Sequence, residues 1–182
     1  MTALMALKYG DMSDEVTITA EDVNLEEGST VSGMIPGDTV TMDSLFHALM
    51  VHSDNDAAMA IAEHIGGTVD NFVAMMNEEA RNLGMTGTHF MNPHGLHDEN
   101  HYTTAYDIYL MLNTAYKYQQ FYEVMQMKAY NLTVNRADGT QTTLRLDSTD
   151  KYLTGEKEAP ANVTVIGGKT GTTSSAGACL AI

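Results

Sequence analysis

The chain is poor in cysteine, in basic residues and in long apolar runs. Its 182 residues include a single cysteine, Cys179, so no disulfide can form within the chain. Because Cys179 lies in an apolar run typical of a strand, we expect it to pack in the core rather than to react. Nine basic against 24 acidic residues give a net charge of −15, which opposes binding to nucleic acid or anionic lipid through a general electrostatic field. No apolar run reaches the length of about 18 residues that predicts a membrane-spanning helix.

What is present favours one α/β domain over residues 1–182. With 43% hydrophobic residues, the chain can bury a sizeable core. Apolar residues at helical spacing predict a helical part over about residues 41–128, with threonine N-caps at Thr41, Thr68 and Thr103 or Thr104. Alternating residues on both sides of 137–140 predict a β-hairpin. Residues 163–170 and 177–182 are expected to form adjacent antiparallel strands.

Two short motifs point to acyl-transfer chemistry. Lys169-Thr170-Gly171 follows the strand-like residues 163–166, and Ser53-Asp54-Asn55 lies far upstream, in a predicted turn between two helices. Together and in this order they form two of the three motifs of serine acyl transferases that act on peptides and β-lactams. Such a reaction needs a charge to neutralise the substrate carboxylate, hydrogen-bond donors for the scissile carbonyl, and a path for a proton.

The Lys169-Thr170-Gly171 motif and the following Thr172 suit the binding of a peptide terminus. Lys169 can supply positive charge, and the hydroxyls of Thr170 and Thr172 can orient a carboxylate. Gly171 has no Cβ to prevent an extended peptide from pairing with the strand. We therefore predict that Lys169, Thr170, Gly171 and Thr172 bind substrate, and that Lys169 also takes part in catalysis.

The Ser53-Asp54-Asn55 motif can transfer a proton and orient the substrate. Ser53 can relay a proton between nucleophile and leaving amine. The carboxamide of Asn55 both donates and accepts, so it can hold a substrate amide and a neighbouring side chain at once. We predict catalytic roles for Ser53 and Asn55 beside Lys169.

The third motif, Ser-x-x-Lys, would supply the nucleophile. It needs serine and lysine one helical turn apart on a buried helix, so that a lysine of lowered pKa can take the serine proton. The string Ser148-Thr149-Asp150-Lys151 has this spacing, but it lies in a polar stretch without an apolar helical period. We interpret it as a solvated loop.

Several segments resemble the penicillin-binding D-alanyl-D-alanine carboxypeptidases of the low-molecular-mass, serine type. These segments are 41–58 (TMDSLFHALMVHSDNDAA), 91–96 (MNPHGL), 101–107 (HYTTAYD), 167–171 (GGKTG) and 176–180 (AGACL). The resemblance implies a β-lactamase/transpeptidase-like α/β fold, with an antiparallel sheet flanked by helices. It also implies removal of the terminal D-alanine of peptidoglycan pentapeptides through an acyl-serine intermediate.

By the same resemblance, both ends of the chain correspond to positions inside the family's domain. Residues 1–4 (MTAL) resemble the segment that directly follows the family's Ser-x-x-Lys, and residues 178–182 resemble the beginning of a strand. We therefore expect a domain truncated at both ends, with an incomplete sheet and without its nucleophile, so that the chain by itself is inactive. The family has glycine in many members where this chain has Asp54, which leaves the rate or specificity open to change.

Partners and location follow from the resemblance. A peptidoglycan stem peptide is the expected substrate and β-lactam antibiotics are expected inhibitors, with no cofactor, no metal and no nucleic acid. The expected location is extracytoplasmic, in the bacterial envelope or secreted. No export signal is recognised at Met1, and membrane anchoring would involve only segments absent from the chain.

Three alternatives stay open. A class A β-lactamase would share both motifs, but its Glu-x-x-Leu-Asn loop does not occur in the sequence. A penicillin-recognising fold that binds peptidoglycan without turnover would need no nucleophile. Residues 94–101 (HGLHDENH) hold three histidines and two carboxylates that could bind zinc, although Pro93 and Gly95 favour a hydrogen-bonded loop.

Overall fold

The computed structural model describes residues 1–181, which alternate helices with short strands. The elements in chain order are α1 (Thr2–Tyr9), β1 (Glu15–Thr17), β2 (Thr39–Thr41), α2 (Met42–Val51), α3 (Asn55–Gly66), α4 (Val69–Asn82), α5 (Ala105–Ala115), α6 (Gln119–Val124), β3 (Ala129–Asn135), β4 (Gln141–Asp147), α7 (Lys151–Thr154), β5 (Lys169–Thr173) and β6 (Gly177–Ala181). The helices α2, α4 and α5 begin where predicted and the strands β3 and β4 flank residues 137–140 as predicted, whereas the short helices α6 and α7 were not predicted.

Threonine side chains start the helices α2, α4 and α5. Thr41, Thr68 and Thr104 each accept a hydrogen bond from the backbone N–H three residues later, at 3.1, 3.2 and 3.1 Å. This contact satisfies one of the free N–H groups of the first helical turn. The predicted N-caps are confirmed, and α2 ends before His52, so that Ser53 and Asp54 form the turn into α3.

A four-stranded antiparallel sheet has the order β1-β2-β3-β4. The predicted hairpin is β3–β4, with a register that runs from Ala129 opposite Asp147 to Asn135 opposite Gln141. Gly139 in its turn has φ 84°, a conformation that glycine adopts without steric cost. The short strands β1 and β2 extend the sheet from the side of β3.

The strands β5 and β6 form a second, two-stranded antiparallel sheet, with Lys169 opposite Ala181 and Thr173 opposite Gly177. The predicted pairing is confirmed, but the first strand begins at Lys169 rather than at residue 163. The prediction that Cys179 packs in the core is wrong, because this side chain is exposed. An apolar run is buried only where a second layer covers it, and among residues 1–181 the strand β6 pairs with β5 alone, outside the four-stranded sheet.

The core lies where α1, α2, α3 and α4 pack against one another and against the four-stranded sheet. Its largest fully buried side chains include Phe46, Phe72, Leu4, Met5 and Leu132. In the part of the chain that the structure describes, no helix is both long and apolar enough to cross a membrane.

Candidate active site

A cleft of about 850 Å³ lies between the turn after α2 and the strand β5. Its walls come from segments distant in sequence. They include Gly28, Ser29, Thr30, Ser53, Asn55, His94, Gly95, Leu96, Thr149, Asp150, Lys151, Tyr152, Lys157, all five residues of β5, and Ala178, Cys179 and Leu180 of β6. All six site residues predicted from the sequence lie along this cleft.

A direct hydrogen bond joins the two sequence motifs. The Nζ of Lys169 donates to the Oγ of Ser53 at 2.7 Å, although 116 positions separate these residues. Ser53 occupies a left-handed turn with φ 69°, and this turn lies between the end of α2 and the first residue of α3. The fold therefore brings a hydroxyl group and an amine into proton-transfer distance.

Burial alters the acidity of Lys169. Its Nζ also donates to the backbone O of Thr170 at 2.7 Å. Removal from water disfavours the charged amine and lowers the pKa of Lys169 to about 8, while the nearby Asp54 carboxylate opposes this shift. At pH 7 most of the lysine is still protonated, and it can attract an anion. A pKa near neutrality also makes its proton available to a neighbouring group.

Asn55 is the first residue of α3 and is buried at the cleft wall. Its backbone N–H donates to Thr30 O at 2.8 Å, which fixes the adjacent loop that also lines the cleft. The carboxylate of Asp56 holds the same loop, because it accepts from the backbone N–H and the hydroxyl of Ser32. Burial and the adjacent Asp54 raise the pKa of Asp56 to about 6.

The strand β5 presents its residues on alternate faces. All five of its residues nevertheless line the cleft, so side chains from both faces of the strand would border a ligand bound along its edge. A Cβ built on Gly171 has nothing within 4 Å, so this stretch of strand is open to an extended ligand. Thr173, which was not predicted as a site residue, also lines the cleft and is a further candidate for contact with a bound peptide.

A close backbone approach positions the beginning of β5. Gly167 is buried, and a Cβ at this position would lie 2.2 Å from the backbone O of Met125. No side chain fits in that space, so only glycine allows the segment before Lys169 to lie against the end of α6.

The loop before α7 was also missed as part of the site. The hydroxyl oxygens of Thr149 and Thr170 are 2.6 Å apart, which ties this loop to β5. The Ser-x-x-Lys string within it does not form a buried pair. Ser148 accepts from the N–H of Asp150, and Lys151, whose side chain is 60% exposed, pairs with Glu156. Thr149 could not be selected from the sequence because its partner is 21 positions away.

The histidine-rich loop contributes a neutral imidazole to the cleft. The Nδ1 of His94 accepts from the backbone N–H of Leu96 at 3.1 Å, which leaves the proton on Nε2. Burial and the nearby His101 lower the pKa of His94 to about 4, so the ring is uncharged at pH 7. Within residues 1–181, no three His, Cys, Asp or Glu side chains are grouped as a metal site.

Comparisons with known proteins show which family the chain is similar to. The sequence model of the D-alanyl-D-alanine carboxypeptidase family, peptidase family S11, matches residues 1–182. The chain is 37% identical over 124 residues to the D-alanyl-D-alanine carboxypeptidase DacF of Bacillus subtilis, an alignment that covers 65% of the chain and 31% of that protein. It is 33% identical over 150 residues to DacC of Escherichia coli, covering 82% of the chain and 34% of the relative.

A solved structure shares the fold. The crystal structure of the Streptomyces K15 DD-transpeptidase superposes with a TM-score of 0.88 at 29% identity, covering 98% of this chain and 70% of that one. The chain thus spans about a third of the length of the two curated relatives and 70% of the chain in the solved structure. The fold prediction and the predicted family are confirmed. The chain belongs to the D-alanyl-D-alanine carboxypeptidase family.

Proposed function

We propose that the whole protein is a serine-type D-alanyl-D-alanine carboxypeptidase that removes the terminal D-alanine of peptidoglycan pentapeptides. The observation that carries this proposal is the 2.7 Å hydrogen bond from Lys169 to Ser53, because it unites both motifs in one cleft. The cleft offers a cation, several hydroxyl groups and an open strand for a short peptide that ends in a carboxylate.

Binding of the peptide uses β5. The terminal carboxylate is attracted by the protonated Lys169 and accepts hydrogen bonds from the hydroxyls of Thr170 and Thr172. The exposed edge at Gly171 admits the peptide backbone, since nothing there occupies the space of a side chain. Asn55 orients the substrate amide from the opposite wall.

Acyl transfer requires a nucleophilic serine, which we propose lies on chain upstream of Met1. Met1 and Lys169 line the same groove, of about 900 Å³, so a residue joined to Met1 would be close to the cleft. The serine oxygen attacks the carbonyl carbon of the penultimate D-alanine. The proton of the serine hydroxyl passes to the lysine of the expected Ser-x-x-Lys, which acts as the base. The C–N bond then breaks, and the leaving amine receives a proton through Ser53.

Hydrolysis of the acyl-enzyme completes the cycle. A water molecule, activated through the lysine and serine network, adds to the ester and releases the shortened peptide and the free serine. A β-lactam would acylate the same serine and act as an inhibitor. Peptidoglycan as substrate implies an extracytoplasmic site of action in a bacterial envelope.

The test is peptide hydrolysis by the full-length protein, with Ser53→Ala and Lys169→Ala compared with Ser13→Ala. Ser13 is exposed, and its hydroxyl donates to the Asp11 carboxylate at 2.7 Å, away from the cleft, so it serves as the matched control. Ser53→Ala should lower kcat by at least about 100-fold, the range of general acid–base catalysis. Lys169→Ala should lower kcat/KM by a similar factor. Hydrolysis by Ser53→Ala at the rate of Ser13→Ala would contradict the proposal.

A further inference from the structure

Ser53 adopts a backbone conformation that a serine does not favour. Within residues 1–181, only Ser53 and Asn162 among non-glycine residues have positive φ, at 69° and 64°. A side chain at Cβ crowds the backbone in this region, so surrounding contacts must hold the turn in place. The hydroxyl that bonds Lys169 is correctly placed only while this turn persists.

The two residues that flank Ser53 are joined by their side chains. The Nδ1 of His52 and the Oδ1 of Asp54 are 2.5 Å apart, which is a short contact between an imidazole N–H donor and a carboxylate. The link closes a small ring around Ser53. His52 is itself held at the C-terminal cap of α2, because its backbone N–H donates to Ala48 O.

Asp54 does not use its carboxylate as an N-cap aspartate usually does. It is the N-cap residue of α3, yet its side chain makes no capping hydrogen bond and bonds His52 instead. The side chain is fully buried, and its Oδ2 has no hydrogen-bond partner within residues 1–181. A buried carboxylate oxygen without a hydrogen-bond partner raises the free energy of the folded state. Such an atom calls for an explanation, and a functional role for the carboxylate is one.

The charged groups around this pair come from three further elements. Asp56 on α3, Asp147 on β4 and Lys169 on β5 are the groups that act on His52 or Asp54. The hydrogen bond to Asp54 raises the pKa of His52, with Asp56 and Asp147 adding to the shift. Burial raises the pKa of Asp54, with His52 and Lys169 opposing that change.

We propose that His52 and Asp54 form a clamp that fixes Ser53 in its left-handed turn and thereby positions its hydroxyl for proton relay. The proposal rests on the function proposed above. His52 and Asp54 are positioning residues, since they act through Ser53. The clamp is strongest when His52 is a cation and Asp54 an anion. It weakens as pH rises past the raised pKa of His52 or falls below that of Asp54.

The experiment measures kcat and KM for a D-Ala-D-Ala peptide between pH 5 and pH 9 with the full-length protein. We expect Asp54→Gly and His52→Ala to lower kcat about tenfold near neutral pH, the value of one charge-assisted hydrogen bond, while KM changes less than about twofold. Asp54→Asn keeps an acceptor for His52, so it should retain most of kcat. Because asparagine does not titrate, this variant should lose the decrease of kcat that protonation of Asp54 causes at low pH.

A second histidine–aspartate pair provides the control. The Nε2 of His64 lies 3.0 Å from Asp14 Oδ2, and the side chains of His64 and His52 are equally exposed, at 31%. His64 is near the end of α3 opposite to Asn55, outside the cleft. His64→Ala should leave kcat and its pH profile unchanged.

An NMR titration of residues 1–182 reads the clamp independently of turnover. The pKa of His52 should lie above its ordinary value of 6.5 in the original protein and should decrease in Asp54→Asn. Unchanged kcat in Asp54→Gly, together with slow Ser53→Ala, would overturn the clamp and leave the proposed function intact. Unchanged kcat in Ser53→Ala would overturn the proposed function, and the relay role of the clamp with it. An unshifted His52 would refute the clamp in either case.

Discussion

Replacing Lys169 by methionine should make the protein more stable at pH 7 while removing its binding function. Burial lowers the pKa of Lys169 from 10.5 to about 8, so the native state binds this proton less tightly than the unfolded chain does. One pKa unit corresponds to about 1.4 kcal/mol, and the whole shift to about 3 kcal/mol of cost below pH 8. Methionine has a similar length and no charge to desolvate.

Two lost hydrogen bonds reduce the expected gain. Lys169 donates to Ser53 and to Thr170 O, and each such bond contributes about 1 kcal/mol. We therefore expect a net stabilisation of about 1 kcal/mol at pH 7 for Lys169→Met. The difference should depend on pH. Between pH 8 and pH 10.5 the unfolded chain holds the proton more than the native state, so the original protein gains stability as pH rises and the variant does not.

The assay is urea unfolding of both proteins at pH 7 and at several values up to pH 10. The free-energy difference between variant and original should move by about 2 to 3 kcal/mol across this range, in favour of the original protein at high pH. Lys151→Met, at a side chain that is 60% exposed, is the control. A difference that stays constant with pH would refute the reasoning, because Lys169 would then carry no desolvation cost.

Three further substitutions test the packing around the site and the core. Gly171→Ala should leave the unfolding midpoint nearly unchanged, because a Cβ there meets nothing within 4 Å, but should weaken peptide binding at least about tenfold by obstructing the strand. Gly167→Ala should cost about 1 to 3 kcal/mol in the free energy of unfolding, since its Cβ would lie 2.2 Å from Met125 O; an equal midpoint for both glycine variants would contradict the geometry. Lys8→Ala should cost about 3 kcal/mol in urea unfolding, because the partner Glu79 is 2% exposed and would lose its 2.6 Å ion pair; a change below about 1 kcal/mol would show that Glu79 finds another partner.

Local rules predicted the helix starts and the hairpin well. The three threonine N-caps depend on contacts between residues three positions apart, and the β3–β4 turn depends on a glycine with positive φ. Such features are encoded in a few neighbouring residues, so a single sequence suffices to find them. The residues of both motifs were found for a similar reason, because each motif is contiguous.

Features that depend on distant contacts were not predicted. The exposure of Cys179 follows from the separation of β5–β6 from the larger sheet, which local hydrophobicity does not report. The place of Thr149 in the cleft depends on its contact with Thr170. The His52–Asp54 contact is local, but both residues are polar and in a turn, so nothing in the pattern distinguishes a buried pair from a solvated one.

We propose that this cleft serves serine acyl transfer with a nucleophile carried on the part of the protein that precedes Met1. The most direct measurement is intact mass after incubation with excess benzylpenicillin, for residues 1–182 and for a chain extended upstream through the expected Ser-x-x-Lys. We expect an increase by one benzylpenicillin on the serine of the extended chain and no change for residues 1–182. An adduct on residues 1–182, mapped to Ser53, Ser148 or Ser174, or no adduct on the extended chain, would contradict the claim.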